Sequence, residues 1–237
     1  MIAKPIAVIT GTTHGIGRTT SRELARAGYA IVMLCRDLQA AGQWRDELRV
    51  LVPDSEIHVA HCDLATLSSV RECAALLRRY FARFAILINN AGMVSLRRRR
   101  SPDGFELCFA TNYLGPYLLT RLLLEHMAAG ARIINVASAI HYRGRLDLQS
   151  VAAARARYRP TEAYARSKLA NVMFSLALAR RLSGYNITVN CLHPGVIATN
   201  LLPRWLRAIQ ALLGRPMLDA ERGAQTTLHL ALSAEVA

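Results

Sequence analysis

Residues 6–17 read Ile6-Ala7-Val8-Ile9-Thr10-Gly11-Thr12-Thr13-His14-Gly15-Ile16-Gly17, and this run sets the architecture expected for the whole chain. Its first residues are apolar, which predicts a buried strand. A helical pattern follows from Thr19 to Ala27 and ends at Gly28, a residue typical of helix C-termini. Between them, the glycines permit a tight turn in which backbone N–H groups and the helix N-terminus attract a pyrophosphate.

The glycine spacing of this turn is Gly-x-x-x-Gly-x-Gly, which differs from the G-x-G-x-x-G fingerprint of many dinucleotide sites. A glycine-rich turn alone is weak support for a ligand. Its position in the first strand–turn–helix unit favours dinucleotide binding, and a purely structural turn is the alternative. The residues expected to face the cofactor here are Gly11, Thr13, His14, Gly15, Ile16 and Gly17.

Apolar runs and helical patterns alternate along the rest of the chain. Strands are predicted over Tyr29–Leu34, Ile57–Cys62, Phe84–Asn89, Ala131–Ala137 and Asn186–Cys191. Helices are predicted over Gln39–Val50, Ser68–Tyr80, about Phe105–Met127 and about Ala220–Leu232, and the helix that carries Tyr164 and Lys168 is predicted to run to about Leu182. This alternation predicts an α/β fold with one doubly wound parallel sheet of the Rossmann type, forming a single domain over residues 1–237, with ligands at the C-terminal ends of the strands.

The chain is strongly basic, with 30 Lys and Arg against 16 Asp and Glu and a net charge of +14. Such an excess suggests nucleic acid or an anionic surface as a partner, and the run Arg97–Arg100 is its sharpest feature. However, arginines are spread along the whole chain and aromatic residues make up only 6%. We therefore expect no nucleic-acid partner. The arginine run is interpreted as a solvated loop or as a site for an anionic group near the substrate entrance.

Hydropathy and cysteine usage indicate the cellular compartment. No apolar run reaches the roughly 18–20 residues that span a bilayer. The segment Met1–Ile6 does not resemble a signal peptide, so a cytoplasmic protein without a transmembrane segment is expected. Scattered thiols in odd number predict free cysteines and no metal site, and they are Cys35, Cys62, Cys73, Cys108 and Cys191.

The end of the second predicted strand, Leu34-Cys35-Arg36-Asp37, bears on the choice of cofactor. In this region an acidic side chain holds the ribose 2′-hydroxyl of NAD, whereas an arginine accommodates the 2′-phosphate of NADP. Cys35 is neutral and Arg36 is basic. NADP is therefore favoured over NAD, and a plain surface charge at Arg36 is the alternative.

Lys168 is one of only two lysines in the chain and follows Tyr164 by four residues. Positions i and i+4 share one face of a helix, so the ammonium is expected close to the phenol. A nearby cation favours phenolate, and the pair predicts a lowered pKa for Tyr164 and an acid/base role near neutral pH. A chance pairing on an exposed helix is the alternative.

Several motifs occur in order: the glycine turn, Asn89-Asn90-Ala91-Gly92, Ser138, and Tyr164 with Lys168. With them the chain resembles the short-chain dehydrogenase/reductase family over nearly its whole length. It looks most like the retinol dehydrogenase branch. The supporting segments are Leu34–Asp37, Asp103–Glu106, Ser167–Val172, His193–Val196 and Glu221–Thr226.

The resemblance implies a catalytic set of four residues. Tyr164 would exchange a proton with the substrate oxygen, and Ser138 would hold that oxygen. Lys168 would lower the pKa of Tyr164 and bind the nicotinamide ribose. Asn112 would kink its helix and hold a water that links Lys168 to solvent. The implied substrate is a lipophilic carbonyl or alcohol.

The resemblance also implies further contacts to the cofactor. Asp63, with Leu64 beside it, would lie against the adenine, and Asn90 would support the sheet beside the cofactor. The other implied cofactor-binding residues are Arg36, Ala91, Gly92, Tyr164, Lys168, Pro194, Gly195, Val196 and Thr199.

The segment between Ser138 and Tyr164 and the region after Leu232 depart from the family pattern, whereas relatives have a flap where residues 200–218 lie. The segment from Ile140 to Pro160 is longer than in many relatives, and it is expected to lie near the substrate opening or to be a solvated excursion. Residues 200–218 are expected to form an apolar substrate flap or ordinary packing. No seventh strand is expected after Leu232, which makes the homo-oligomer usual in the family doubtful. A catalytically idle nucleotide-binding protein of the same fold is the alternative function.

Overall fold

The computed structural model describes residues 4–152, 158–195 and 219–236, and within them six parallel strands form one sheet. The strands are β1 (Ile6–Thr10), β2 (Ala30–Cys35), β3 (Ile57–His61), β4 (Phe84–Asn89), β5 (Met127–Val136) and β6 (Ile187–Leu192). Their order in the sheet is β3-β2-β1-β4-β5-β6. The order therefore reverses between β1 and β4, and a crevice for ligands opens at the C-terminal ends of these two strands.

Helices connect the strands. They are α1 (Gly15–Arg26), α2 (Leu38–Leu51), α3 (Leu67–Tyr80), α4 (Leu107–Phe109), α5 (Gly115–Leu123), α6 (Leu148–Ala152), α7 (Pro160–Arg181) and α8 (Ala220–Leu232). The predicted α/β fold with a Rossmann-like parallel sheet is confirmed. Most strand and helix boundaries agree with the prediction to within a few residues, which is the usual uncertainty of element ends.

The sheet buries both of its faces. Val8 lies in a core shared with α3, α5 and α7, while Ala7 and Ile9 lie in a second core with α1, α2 and α8. Successive side chains of a strand point to opposite faces, so a strand covered on both sides must be apolar throughout. This explains why β1 shows a continuous apolar run rather than an alternating pattern.

The single long helix predicted over Phe105–Met127 is wrong. The structure has α4, a π-helical turn over Ala110–Leu114, α5, and a short 3-10 turn before β5 begins at Met127. Pro116 has no N–H to donate to the carbonyl of Asn112, and its ring crowds that carbonyl. A wider turn relieves this conflict. Apolar periodicity cannot reveal such a change of helix type.

The long connection between β5 and α7 contains a 3-10 turn over Ala139–Arg143 and the short α6. This connection contacts the run Arg97–Arg100. Arg100 donates one hydrogen bond to the carbonyl of Gly104 and another to the carbonyl of Ala152 at the end of α6, both at 2.7 Å. The predicted flap at 200–218 lies outside the described residues. Among the helices that the structure describes, none is both long enough and apolar enough to cross a bilayer.

Candidate active site

The glycine turn after β1 is shaped by close backbone contacts. Gly11 and Gly15 have φ angles of 71° and 56°, a region that favours glycine. A Cβ at Gly17 would overlap the carbonyl oxygen of Gly11 and lie 2.5 Å from Nδ2 of Asn90. His14 is the N-cap residue of α1 and forms no side-chain hydrogen bond to the first turn. The N–H groups of that turn therefore suit an anion.

Asn90 ties the ends of β1 and β4 together. Its Nδ2 donates to the carbonyls of Thr10 at 2.9 Å and Gly11 at 3.0 Å. The backbone N–H groups of Asn90 and Ala91 both donate to Oγ1 of Thr10 at 3.0 Å. Residues predicted on separate motifs thus meet at the reversal point of the sheet.

The ends of β2 and β3 lie on the other side of the glycine turn. Arg36 is exposed there, while Asp37 caps α2 by accepting from the Ala40 N–H at 3.0 Å. Asp63 follows β3 and holds its own turn, because its carboxylate accepts from the Ala65 N–H at 3.1 Å and the Thr66 hydroxyl at 3.2 Å. Asp37 therefore has a structural task, and Arg36 is the residue left facing solvent.

Leu64 lies next to Asp63 in the turn after β3. It is 5% exposed, and its carbonyl approaches Gly115 so closely that a Cβ there would overlap it. The start of α5 is therefore pressed against the turn after β3. Leu64 fits a packing role in addition to any contact with a cofactor.

Lys168 and Tyr164 come together on α7, as the four-residue spacing predicts. Nζ of Lys168 lies 5.7 Å from the centre of the Tyr164 ring and donates to the carbonyl of Val136 at 2.7 Å. Lys168 is only 3% exposed. A Cβ at Gly92 would lie 3.5 Å from Nζ, so the loop after β4 passes directly over the ammonium.

The predicted lowering of the pKa of Tyr164 is wrong for the protein without a bound cofactor. Burial raises the pKa of Tyr164 to about 12, partly offset by a hydrogen bond with Ser138. Burial also lowers the pKa of Lys168 to about 8. Desolvation penalises the charged form of both groups. The sequence shows that the two residues are neighbours but not how deeply they are buried.

Ser138 follows β5 and begins the 3-10 turn of the long connection. It is half-buried, and besides its hydrogen bond with Tyr164 its Oγ lies 3.5 Å from the Ile140 N–H. Its carbonyl contacts Nδ1 of His141 at 2.8 Å. Ser138 therefore reaches the phenol of Tyr164 from the end of β5.

Asn112 lies in the π-helical turn and is 1% exposed. Its Oδ1 accepts from the Met93 N–H at 2.8 Å, and its Nδ2 donates to the Met93 carbonyl at 2.9 Å and to Oγ of Ser167 at 3.0 Å. The amide thus fastens the loop that carries Gly92 to the helix that carries Lys168. The expected water at this residue stays a prediction.

Pro194 and Gly195 follow β6, and Gly195 has a φ of 90°. Val196 and Thr199, the other cofactor contacts predicted in this turn, lie outside the described residues. Among the residues that the structure does describe, no group of His, Cys, Asp or Glu could hold a metal ion.

Sequence reasoning missed several polar residues behind the site. Ser167 accepts from Asn112 and donates to the carbonyl of Tyr164 at 2.7 Å. Cys108 is buried, and its Sγ contacts the carbonyl of Met93 at 3.3 Å. Tyr158 donates to the carbonyl of Ser95 at 2.8 Å. The only signal in the sequence was position, because Ser167 precedes Lys168 and Cys108 lies one helical turn before Asn112.

A second missed set crosses the sheet. Asn89 donates from Nδ2 to Oγ1 of Thr120 at 2.9 Å and to Oδ1 of Asn135 at 2.8 Å. Asn135 in turn donates to Oγ of Ser175 at 2.9 Å. These side chains link α5, β4, β5 and α7 in the buried interior. Two asparagines at the ends of apolar strands were the signal that could have indicated this network.

Comparison with known proteins agrees with this geometry. The family model described as short chain dehydrogenase matches residues 5–209. Retinol dehydrogenase 13 of Homo sapiens is 42% identical over 82% of this chain and 59% of its own length. Retinol dehydrogenase 14 of Mus musculus is 39% identical over 97% of this chain and 74% of its own length.

A solved structure is also similar to nearly the whole chain. A protein of Mycobacterium Paratuberculosis without an assigned function superposes with a TM-score of 0.79 at 36% identity. The match covers 97% of this chain and 76% of that one. The relatives are thus longer than the part that aligns, and for retinol dehydrogenase 13 the chain spans about three fifths of the relative.

Proposed function

The chain belongs to the short-chain dehydrogenase/reductase family of NAD(P)-dependent oxidoreductases, and from this membership we propose that it transfers a hydride between NADP and a lipophilic carbonyl or alcohol. One observation carries the proposal. Ser138, Tyr164 and Lys168 meet at the C-terminal edge of the sheet, beside the loop after β4 that carries Gly92. The retinol dehydrogenases named among the relatives support a lipophilic substrate.

The residues at the crevice fit a dinucleotide. Gly17 packs so closely against the Gly11 carbonyl that a Cβ would overlap it, and the first turn of α1 offers N–H groups to a pyrophosphate. Arg36 is exposed at the end of β2, where a 2′-phosphate would meet a guanidinium. We therefore assign NADP rather than NAD, with Asp63, Leu64, Ala91, Gly92, Pro194 and Gly195 as further contacts.

When bound, NADP supplies or accepts the hydride. Tyr164 donates the proton to the substrate oxygen during reduction, and its raised pKa keeps the phenol protonated at neutral pH. Ser138 shares a hydrogen bond with the phenol and holds the same oxygen. Lys168 places a cation beneath the ring and stabilises negative charge that develops there.

Asn112 acts as a positioning residue. Both ends of its amide bond the backbone of Met93, and its Nδ2 also reaches Ser167 next to Lys168. The loop over the ammonium and the catalytic helix are therefore held at a fixed separation. Small displacements at such sites cost large factors in rate, because reacting groups must be aligned.

The proposal is tested by adding NADPH to the full chain with a panel of lipophilic aldehydes and ketones and following the loss of NADPH absorbance. Tyr164→Phe removes only the hydroxyl and should lower kcat by about 10²-fold or more. Tyr80→Phe is the matched control, because Tyr80 is 67% exposed and remote from the site. Equal rates for wild type and Tyr164→Phe would refute the role, and NADPH binding without turnover of any compound would favour the idle nucleotide-binding alternative.

A further inference from the structure

The connection that leaves β5 begins with a short turn that carries Ser138, and we call residues 138–144 the serine turn. Its start is fixed to the sheet, because the Ala137 N–H donates to the carbonyl of Leu192 at 2.8 Å. Beyond its end, residues 145–149 are all exposed. Any restraint on Ser138 from the C-terminal side must therefore come from the serine turn itself.

The carbonyl of Ser138 accepts two hydrogen bonds from one residue. The backbone N–H of His141 donates to it at 3.0 Å, and Nδ1 of the His141 ring lies 2.8 Å from the same oxygen. A carbonyl oxygen only accepts, so Nδ1 carries the proton in this contact. The ring of Tyr142 stacks on the imidazole, with the ring centres 4.1 Å apart at 34°. The imidazole thus holds the peptide group that follows Ser138 in one orientation.

Gly144 ends the serine turn against the backbone of α7. A Cβ at this position would lie 2.7 Å from the carbonyl oxygen of Ala165 and 2.9 Å from Cβ of Leu169. The φ of −72° and ψ of 144° at Gly144 suit any residue, so the close approach to α7, and not the backbone conformation, explains the glycine. The Gly144 N–H also donates to the carbonyl of His141 at 2.9 Å, which joins the two contacts.

These contacts lie beside the phenol of Tyr164. Ala165, whose carbonyl Gly144 approaches, is the next residue of α7 after Tyr164. One end of the serine turn thus bonds the phenol through Ser138, while the other end rests on the backbone of the same helix. The separation between the Ser138 hydroxyl and the phenol is therefore set by the path of the turn between two fixed ends.

We propose that His141 and Gly144 are positioning residues that hold Ser138 in reach of Tyr164 during hydride transfer. His141 fixes the peptide group after Ser138, and Gly144 fixes the far end of the serine turn on α7. Neither residue touches the reacting atoms. The inference rests on the proposed function, because Ser138 and Tyr164 act there on the substrate oxygen, and small displacements of such groups cost large factors in rate.

The first test compares His141→Leu with His141→Asn. Leucine removes the ring donor, whereas the amide nitrogen of asparagine can donate from nearly the position of Nδ1. With NADPH and a substrate from the panel above, His141→Leu should lower kcat by about tenfold or more while the Kd of NADPH changes by less than about twofold. His141→Asn should keep kcat within about threefold of wild type.

His58→Leu is the matched control for the loss of a histidine. The ring of His58 bonds the carboxylate of Glu56 at 2.8 Å, and β3, which carries His58, is the edge strand on the far side of the sheet from β5. This variant loses a ring hydrogen bond without disturbing the serine turn, and its kcat should equal that of wild type.

Gly144→Ala tests the contact with α7. The added methyl group must push the serine turn away from the Ala165 carbonyl, so kcat should fall by about tenfold or more with the Kd of NADPH again within about twofold. Gly184→Ala is the matched control, because a Cβ there meets nothing within 4 Å. Its kcat should equal that of wild type.

Hydrogen exchange of the cofactor-free protein, followed by NMR, provides a measurement that needs no turnover. In His141→Leu the amides of His141 and Gly144 should exchange about fivefold faster or more, because the turn opens locally. His141→Asn should keep the wild-type rates. The Ala137 amide, which bonds across the sheet to Leu192, should exchange at the same rate in all three proteins.

Three outcomes would overturn the inference. They are unchanged exchange in His141→Leu, equal kcat for wild type, His141→Leu and Gly144→Ala, and a loss of NADPH binding as large as the loss of kcat, which would show a general disruption of the fold. A wild-type protein that turns over no compound would instead refute the proposed function. The exchange rates would then decide by themselves whether His141 holds the serine turn.

Discussion

Lys168 shows how far a residue's surroundings can change its chemistry. An ordinary lysine is exposed and charged, but this ammonium is 3% exposed and bonded to the carbonyl of Val136. Arginine could not replace it easily, because a planar guanidinium does not fit a site shaped for a compact ammonium. Burial lowers the pKa of Lys168 to about 8 and raises that of Tyr164 to about 12, so at neutral pH the phenol is protonated and the lysine still carries its charge.

This burial predicts a dependence of stability on pH. The pKa of Lys168 is 10.5 in an unfolded chain and about 8 in the cofactor-free fold. Between these values the unfolded chain binds more protons than the folded protein, so the free energy of unfolding rises with pH. From pH 8 to about pH 10 the gain should be about 2 kcal/mol.

The measurement is urea unfolding of the cofactor-free protein at both pH values. Lys168→Met provides the control, because it has no proton to lose and should not show the gain. Tyr164 contributes with the opposite sign only above its unfolded pKa of 10, since its folded pKa is about 12. Parallel curves for wild type and Lys168→Met would contradict the prediction.

Arg36 decides the choice of cofactor in our proposal. Replacing Arg36 with alanine should weaken NADP binding by about tenfold or more while leaving NAD binding nearly unchanged, because only NADP carries the 2′-phosphate. The dissociation constants are obtained by titrating each nucleotide and following protein fluorescence. Arg45→Ala on the neighbouring helix α2 serves as the control, and equal losses for both nucleotides would exclude a 2′-phosphate contact.

At the scale of elements, helix ends and turns carry the site. The N-terminus of α1 follows a glycine turn and leaves no room for a Cβ at Gly17, and Asn90 fixes that turn to the end of β4. The π-helical turn before Pro116 brings the Asn112 amide against Met93 and Ser167. In both elements the shape of the backbone contributes to the site, in addition to the side chains.

Gly17→Ala tests the glycine turn. The added methyl group would overlap the Gly11 carbonyl, so overpacking should lower the free energy of unfolding by about 1–3 kcal/mol and NADPH binding should fall. Gly42→Ala on α2 is the matched control, since a Cβ there meets nothing within 4 Å and alanine should stabilise the helix by about 0.5–1 kcal/mol. Unchanged stability and NADPH binding in Gly17→Ala would show that the turn is not closely packed.

At the scale of the whole molecule, the polar network of Thr120, Asn89, Asn135 and Ser175 runs through the interior from α5 to α7. Buried amides are costly unless they are hydrogen-bonded, and each of these partners comes from a different element. The network therefore specifies the relative placement of β5 and α7, which lead to and carry the candidate residues Ser138 and Tyr164.

Asn89→Leu and Asn135→Leu test this network in a double-mutant cycle. Each single change leaves a buried polar partner unsatisfied and should cost about 1–3 kcal/mol. The double variant removes both amides and should cost less than the sum by about 1 kcal/mol or more. Urea unfolding of the four proteins gives the coupling, and strictly additive losses would mean that the two amides act independently.

The sequence by itself determined the architecture and most of the candidate site. Alternating apolar and helical patterns are local, so they predict the parallel sheet, and motifs at strand ends must converge at one edge. The proximity of Tyr164 and Lys168 follows from helical periodicity alone.

Only the tertiary structure decided the properties that depend on distant neighbours. The raised pKa of Tyr164, the hydrogen bonds of the Asn112 amide and the network through Asn89 all arise between segments far apart in the chain. Burial and hydrogen bonding are set by packing, and packing of this kind leaves no local pattern in a single sequence.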